Sequence, residues 1–123
     1  MAEQSDNGDT HDVSPKQAAE LIAERSAQLI DVREPHEWDA GRIPGARHIA
    51  LGLIPAEAES IDRDRPVVFQ CRSGSRSKMV TTAFRASGYD AYNLVGGLLE
   101  WVADGHSIEP EDGSVADSLP DAS

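Results

Sequence analysis

Apolar and polar residues follow each other in short blocks, and their spacing switches repeatedly between a helical and an extended period. Ser14 and Pro15 precede a block with helical spacing over 16–26, in which they fit the N-cap and the first helical position. Short apolar runs with β-branched residues are typical of strands, and helical spacing separates them. The pattern predicts strands at 28–32, 47–50, 67–70 and 91–95 and further helices at 35–40, 74–87 and 98–104, with a brief helix at most within 52–60.

This alternation of strands and helices predicts an α/β fold. We expect three layers, with a central, mainly parallel sheet of about five strands and helices on both faces. In open sheets of this kind, reactive groups gather beyond the carboxyl ends of the strands. Asp31, Arg33 and Cys71 all lie close to such ends, so we expect them to approach one another in the folded chain.

The negative charge is concentrated at the two ends of the chain. Of the formal net charge of −11 over 123 residues, residues 1–12 contribute −4 and residues 105–123 contribute −5, which leaves −2 for residues 13–104. Both ends are rich in small and acidic residues and poor in apolar ones, which is typical of disorder. The sequence therefore predicts one domain over 13–104 between two disordered acidic tails.

Composition also limits the partners. A nearly balanced domain without a basic stripe argues against nucleic acid, and no window is apolar enough to span a membrane. Residues 1–12 lack the apolar centre of a secretory signal, and a single cysteine fits a reducing compartment, so we expect a cytoplasmic protein. The four histidines show no metal-ligand spacing, and we expect a monomer without metal or cofactor.

The only cysteine, Cys71, follows an apolar run and precedes a loop of small and basic residues, Arg72 to Ser77. A helix pattern follows, with Met79, Val80, Ala83 and Phe84 predicted to share one face. A strand-to-helix loop containing Gly74 can direct successive backbone N–H groups at one point and so bind an anion. Nearby arginines and a helix N-terminus also favour the reactive thiolate form of a cysteine. We therefore identify this loop as the candidate active site.

Two chemistries use a thiolate in such a loop. In a phosphatase the thiolate attacks phosphorus and an arginine clamps the phosphoryl oxygens, whereas in a sulfurtransferase it carries sulfur as a persulfide. Cysteine-dependent phosphatases have an arginine at the position that Ser77 occupies here, and Arg76 comes one residue earlier. The tighter loop favours a sulfur atom over a phosphoryl group.

Several motifs in the correct order resemble the single-domain rhodanese family of thiosulfate sulfurtransferases, over about residues 13–104. One position departs from the family pattern, since Arg42 replaces a histidine at a turn that is generally structural. The matching motifs are Leu29-Ile30-Asp31-Val32-Arg33-Glu34, Glu37-Trp38, Gly41-Arg42-Ile43-Pro44-Gly45-Ala46, Cys71-Arg72-Ser73-Gly74-Ser75-Arg76-Ser77, Gly88-Tyr89 and Gly96-Gly97-Leu98-Leu99-Glu100-Trp101.

The resemblance implies that Cys71 carries the transferred sulfur and that backbone N–H groups of the loop hold it. Two orientations of Arg76 stay open: it contacts an anionic donor together with Arg72, or it turns inward to Asp31 or Glu37 and braces the loop. Asp31 and Arg33 are expected to support the site rather than exchange protons. The residues assigned to substrate binding are Arg72, Ser73, Gly74, Ser75, Arg76 and Ser77, with Asp31, Arg33 and Glu37 in supporting roles.

The implied substrates are a sulfane-sulfur donor such as thiosulfate and a thiophilic acceptor. Cyanide, a small thiol, or a protein thiol such as that of a thioredoxin-like protein would each serve as acceptor. One alternative is a non-catalytic or relay module that binds another protein through the same face. A cysteine-dependent phosphatase or arsenate reductase is a further alternative, which the short loop disfavours.

Overall fold

A computed structural model describes residues 11–118, and its centre is a single sheet of five parallel strands. The strands are β1 Asp12–Val13, β2 Gln28–Asp31, β3 Arg47–His48, β4 Val67–Gln70 and β5 Ala91–Leu94. They lie in the order β1-β5-β4-β2-β3, so β4, which leads into the cysteine, is central.

The first helix begins at a residue that helix-capping rules favour. Ser14 is the N-cap of the first helix, where its hydroxyl accepts from Gln17 N (3.1 Å) and its N–H donates to Gln17 Oε1 (2.9 Å). Pro15 occupies the first turn, as predicted. The helices are α1 Pro15–Arg25, α2 Pro35–Ala40, α3 Ile54–Glu57, α4 Ser75–Ala86 and α5 Gly97–Ala103, with 3₁₀ turns at Leu51–Leu53 and Ala58–Ser60 on either side of α3.

Helices cover both faces of the sheet. Alternate residues of β4 point to opposite sides, so Phe69 packs in one core with Phe84 of α4, and Val68 packs in the other with Leu98 and Trp101 of α5. All four residues of β4 are buried, as expected of a parallel strand between two helical layers. The structure confirms the predicted three-layer α/β fold.

Two local predictions need correction. The pattern did not predict β1, which is only two residues long and is defined by its pairing with β5, where Asp12 lies opposite Asn93. Met79 and Ala83 of α4 are exposed, Met79 at 60%. The helix is rotated about its axis relative to the prediction, so that Ser77 and Thr81 replace them on the inward face. The buried residues of α4 are Ser77, Val80, Thr81 and Phe84.

Residues 105–118 lie against the domain, in contrast to the disorder expected from their composition. The backbones of Arg42 and Glu109 form a β-bridge, and Ser114 N donates to the carbonyl oxygen of Ala40 at 2.8 Å. Ile108 and Val115 pack beside the core on the α5 side of the sheet. The predicted C-terminal tail is thus in contact with the domain as far as the structure describes it, and residues 1–10 and 119–123 of the predicted tails lie outside the described residues.

Between residues 11 and 118, none of the helices combines the length and apolar character that crossing a membrane requires. The same stretch places no three His, Cys, Asp or Glu side chains where they would hold a metal ion together.

Candidate active site

Cys71 lies between the end of β4 and the start of α4, and backbone N–H groups point at its sulfur. Gly74 N lies 3.1 Å and Ser77 N 3.5 Å from Cys71 Sγ, at the N-terminal end of the twelve-residue α4. Gly74 is the N-cap of α4 and has a φ of +104°, a backbone conformation that is strained in residues with a side chain. The loop therefore curls around the sulfur and surrounds it with the groups that favour an anion.

The N-terminus of α5 holds the other side of this loop. Leu98 N donates to the carbonyl oxygen of Cys71 (2.8 Å), and Leu99 N donates to that of Arg72 (3.1 Å). A Cβ atom at Gly97 would lie 2.4 Å from the Cys71 carbonyl oxygen, and φ at Gly97 is +59°. The two glycines that precede these donors, Gly96 and Gly97, thus allow α5 to approach the loop backbone closely.

Arg76 forms a bidentate ion pair with Glu37 of α2. Its two terminal nitrogens lie 2.8 and 2.9 Å from the two Glu37 oxygens, and the Glu37 side chain is fully buried. Burial alone would raise the pKa of Glu37, but hydrogen bonds from Arg76 and Glu34 N and the charges of Arg76 and Arg33 hold that pKa below its usual value. The hydrogen bond with Glu37 in turn raises the pKa of Arg76. Of the two orientations left open by the sequence, the structure shows the inward one.

Asp31 and Arg33 form a second, fully buried ion pair at the end of β2. Arg33 donates through Nε to Asp31 Oδ1 (2.9 Å) and through a terminal nitrogen to Oδ2 (2.7 Å), and the same terminal nitrogen donates to the Gly41 carbonyl (2.7 Å). This pair ties β2 to the turn after α2. Asp31 lies in register with Gln70, the residue before Cys71, so the pair lies on the strand next to the one that leads into the cysteine.

Arg72 is held by a C-terminal strap that consists of residues 114–117. Its Nε donates to the Ala116 carbonyl (3.0 Å), and a terminal nitrogen lies 3.5 Å from Asp117 Oδ1. On the opposite side, His36 Nε2 of α2 lies 2.9 Å from the Asp117 carbonyl oxygen. The strap therefore spans from the cysteine loop to α2. Cys71 itself has no exposed surface in this arrangement.

Asn93 of β5 is a polar neighbour of the site that the sequence pattern did not indicate. The Ser77 hydroxyl lies 3.4 Å from Cys71 Sγ and 2.5 Å from Asn93 Oδ1. Asn93 Nδ2 in turn lies 3.2 Å from Asp12 Oδ1. A buried asparagine in an otherwise apolar strand was the only available signal, since the contact depends on how β1, β5 and α4 pack. Ser73 and Ser75, also assigned to the loop, are exposed.

The family model described as Rhodanese-like domain matches residues 14–104. The chain belongs to the rhodanese-like domain family. The match includes the cysteine loop, both buried ion pairs and the Gly96-Gly97 turn, which places each of these features inside the family domain.

Named relatives agree with this assignment. A sulfurtransferase of Allochromatium vinosum is 38% identical over 86 residues, which cover 69% of this chain and 80% of that protein. The thiosulfate sulfurtransferase GlpE of Pseudomonas paraeruginosa is 33% identical over 107 residues, covering 86% of this chain and 93% of the relative.

Solved structures share the fold. A rhodanese-related protein from Thermoplasma volcanium superposes with a TM-score of 0.74 at 22% identity, covering 80% of this chain and 96% of that one. A rhodanese-like domain protein from Staphylococcus aureus superposes with a TM-score of 0.67 at 30% identity, covering 73% and 89%.

Proposed function

We propose that the protein is a sulfurtransferase that moves sulfane sulfur from a donor such as thiosulfate to a thiophilic acceptor through a persulfide on Cys71. The observation that carries the proposal is the position of Cys71 Sγ, which faces the backbone N–H groups of Gly74 and Ser77 at the start of α4. These groups favour negative charge without an adjacent base. The names of the sulfurtransferase relatives support the same reaction class.

In the first step, the Cys71 thiolate attacks the outer sulfur of thiosulfate. A new S–S bond forms on Cys71, the S–S bond of thiosulfate breaks, and its electron pair leaves with sulfite. In the second step, cyanide or a thiolate attacks the outer sulfur of the persulfide and returns the electron pair to Cys71. Neither step requires a proton donor, which agrees with a site whose carboxylates, Asp31 and Glu37, are both occupied by arginines.

The loop arginines have different roles in this proposal. Arg76 braces the loop against α2 through the buried Glu37, and Arg72 receives the anionic donor when the strap releases it. The pairing of Arg76 also argues against the phosphatase alternative, because its planar fork already binds a carboxylate through both terminal nitrogens. Cyanide, a small thiol and a thioredoxin-like protein thiol are the acceptor classes.

We further propose that the protein acts as a cytoplasmic monomer without a cofactor. The chemistry needs a reduced Cys71, which a reducing compartment maintains. Both half-reactions use only the sulfur of Cys71 and the two substrates.

The test is steady-state formation of thiocyanate from thiosulfate and cyanide. Parallel lines in double-reciprocal plots, the signature of a covalent intermediate, are expected, with no turnover in Cys71→Ser. Aryl phosphate is the comparison substrate. Phosphate release that depends on Cys71, with no product from several sulfane donors and acceptors, would establish the phosphatase alternative instead. If the folded protein shows neither activity, the result would favour the alternative of a non-catalytic binding module.

A further inference from the structure

A series of polar side chains leads from the buried sulfur towards the surface, where Asp12 and Lys78 are partly exposed. Ser77 Oγ lies between Cys71 Sγ (3.4 Å) and Asn93 Oδ1 (2.5 Å). Ser77 is fully buried, and Asn93 is 3% exposed. Beyond Asn93, its Nδ2 reaches Asp12 Oδ1 at 3.2 Å, and Lys78 Nζ lies 3.0 and 3.1 Å from the two Asp12 oxygens. The donor and the acceptor of each hydrogen bond in this series follow from which atoms carry protons.

The direction is fixed at Asp12. A carboxylate paired with a lysine only accepts hydrogen bonds, so the group of Asn93 that faces it is the NH₂ group. The amide oxygen of Asn93 therefore faces Ser77, and an amide oxygen also only accepts. The hydroxyl of Ser77 has a single proton, which it must donate to Asn93 across the 2.5 Å contact. What Ser77 presents to Cys71 is an oxygen lone pair.

A lone pair at this position interacts favourably with some chemical states of the Cys71 sulfur and unfavourably with others. The S–H group of Cys71 can donate to Ser77 Oγ, whereas a thiolate on Sγ meets the negative end of the hydroxyl dipole. In a persulfide, the negative charge lies on the outer sulfur, and Sγ is a neutral atom bonded to carbon and sulfur. The contact from Ser77 therefore opposes charge on Sγ and tolerates charge on the transferred sulfur.

We propose that Asn93 is a positioning residue that holds the Ser77 hydroxyl proton away from Cys71 and so favours the persulfide over the free thiolate. The inference rests on the proposed sulfurtransferase function and names a residue that shifts its loading equilibrium. Loading is balanced as thiolate plus thiosulfate giving persulfide plus sulfite, with one S–S bond formed and one broken and no proton transferred. Moving the charge from Sγ to the outer sulfur is thus the change that Asn93 promotes.

The experiment measures the loading equilibrium at fixed thiosulfate and sulfite concentrations, at alkaline pH where the thiolate is the main unloaded form. Intact-protein mass spectrometry gives the ratio of persulfide to unloaded protein. In Asn93→Leu the Ser77 hydroxyl is free to donate to the thiolate, and we expect this ratio to fall about tenfold, as for one charge-assisted hydrogen bond. The matched background is Ser77→Ala, where adding Asn93→Leu should change the ratio by less than about twofold.

Equal shifts in both backgrounds, or no shift in either, would overturn the proposal, because a merely structural effect of Asn93 does not need the hydroxyl. A second measurement covers the case in which Asn93→Leu does not fold. Cys71 is the only cysteine, so its S–H stretch is a single infrared band in the thiol form. We expect a lower frequency in the wild type than in Ser77→Ala, and equal frequencies would contradict the direction of the Ser77 hydrogen bond. This band does not depend on sulfur transfer, so a failure of the proposed function can be distinguished from a failure of this inference.

Discussion

Replacing Arg76 with alanine tests whether its ion pair braces the cysteine loop. The substitution removes both guanidinium hydrogen bonds from the buried carboxylate of Glu37 and leaves it the hydrogen bond from the backbone N–H of Glu34. Breaking a fully buried ion pair costs about 3–5 kcal/mol, and we expect a smaller loss of about 2 kcal/mol because the Arg76 side chain is 21% exposed and water can enter. For a urea m-value of about 2 kcal/mol/M, the unfolding midpoint falls by about 1 M.

The loss should also depend on pH. Because the folded pKa of Glu37 is lowered, the stability it contributes is present above its ordinary value of 4.5 and is lost as the pH falls through the folded value. The difference between wild type and Arg76→Ala should therefore be largest at neutral pH and shrink below pH 4.5. Arg72→Ala is the matched control on the same loop, with an expected loss of under about 1 kcal/mol, since its partner Asp117 is 89% exposed. Equal losses in the two variants, or a difference that does not change with pH, would refute the bracing role.

Three further substitutions probe other parts of the site. Gly97→Ala places a Cβ 2.4 Å from the cysteine carbonyl oxygen, so we expect thiocyanate formation to fall at least about tenfold, whereas Gly105→Ala, with a similar positive φ and open space, should keep its activity. Asp117→Asn removes a carboxylate that competes for Arg72, and we expect a lower KM for thiosulfate with unchanged kcat; an unchanged KM would argue against donor binding there. Arg33→Met leaves a fully buried carboxylate at the end of β2 unpaired, with an expected loss of about 3–5 kcal/mol in urea unfolding, and a loss below about 1 kcal/mol would contradict that assignment.

The sequence predicted the parts of the fold that local rules determine. Ser14 and Pro15 carry a strong helix-start signal, and α2 and β4 have the predicted bounds because Pro35 and an uninterrupted apolar run mark them clearly. β1 was not predicted because two residues are too few to show an alternation of apolar and polar positions. Only its pairing with β5 defines it as a strand. The polar composition of residues 105–118 suggests disorder. Their position against the domain depends on backbone hydrogen bonds to Ala40 and Arg42, which composition does not reveal.

In the site, too, local rules predict some features and tertiary packing determines the others. The strand-to-helix position and loop length singled out Cys71 without any tertiary information. The partner of Arg76 was open between Asp31 and Glu37, and the structure decides it because Arg33, two residues along the chain, already occupies Asp31. The hydrogen bond from Ser77 to Asn93 joins two consecutive elements, α4 and β5, and neither a spacing rule nor a charge pattern predicts it.

The central claim is that Cys71 carries the transferred sulfur, and the mass of the intact protein tests it most directly. After incubation with thiosulfate and removal of the excess, we predict a gain of one sulfur atom per chain. The added mass should disappear on treatment with cyanide, with a matching amount of thiocyanate, and should be absent in Cys71→Ser. An unchanged mass with thiosulfate and every other sulfane donor, or a gain that persists in Cys71→Ser, would contradict the account.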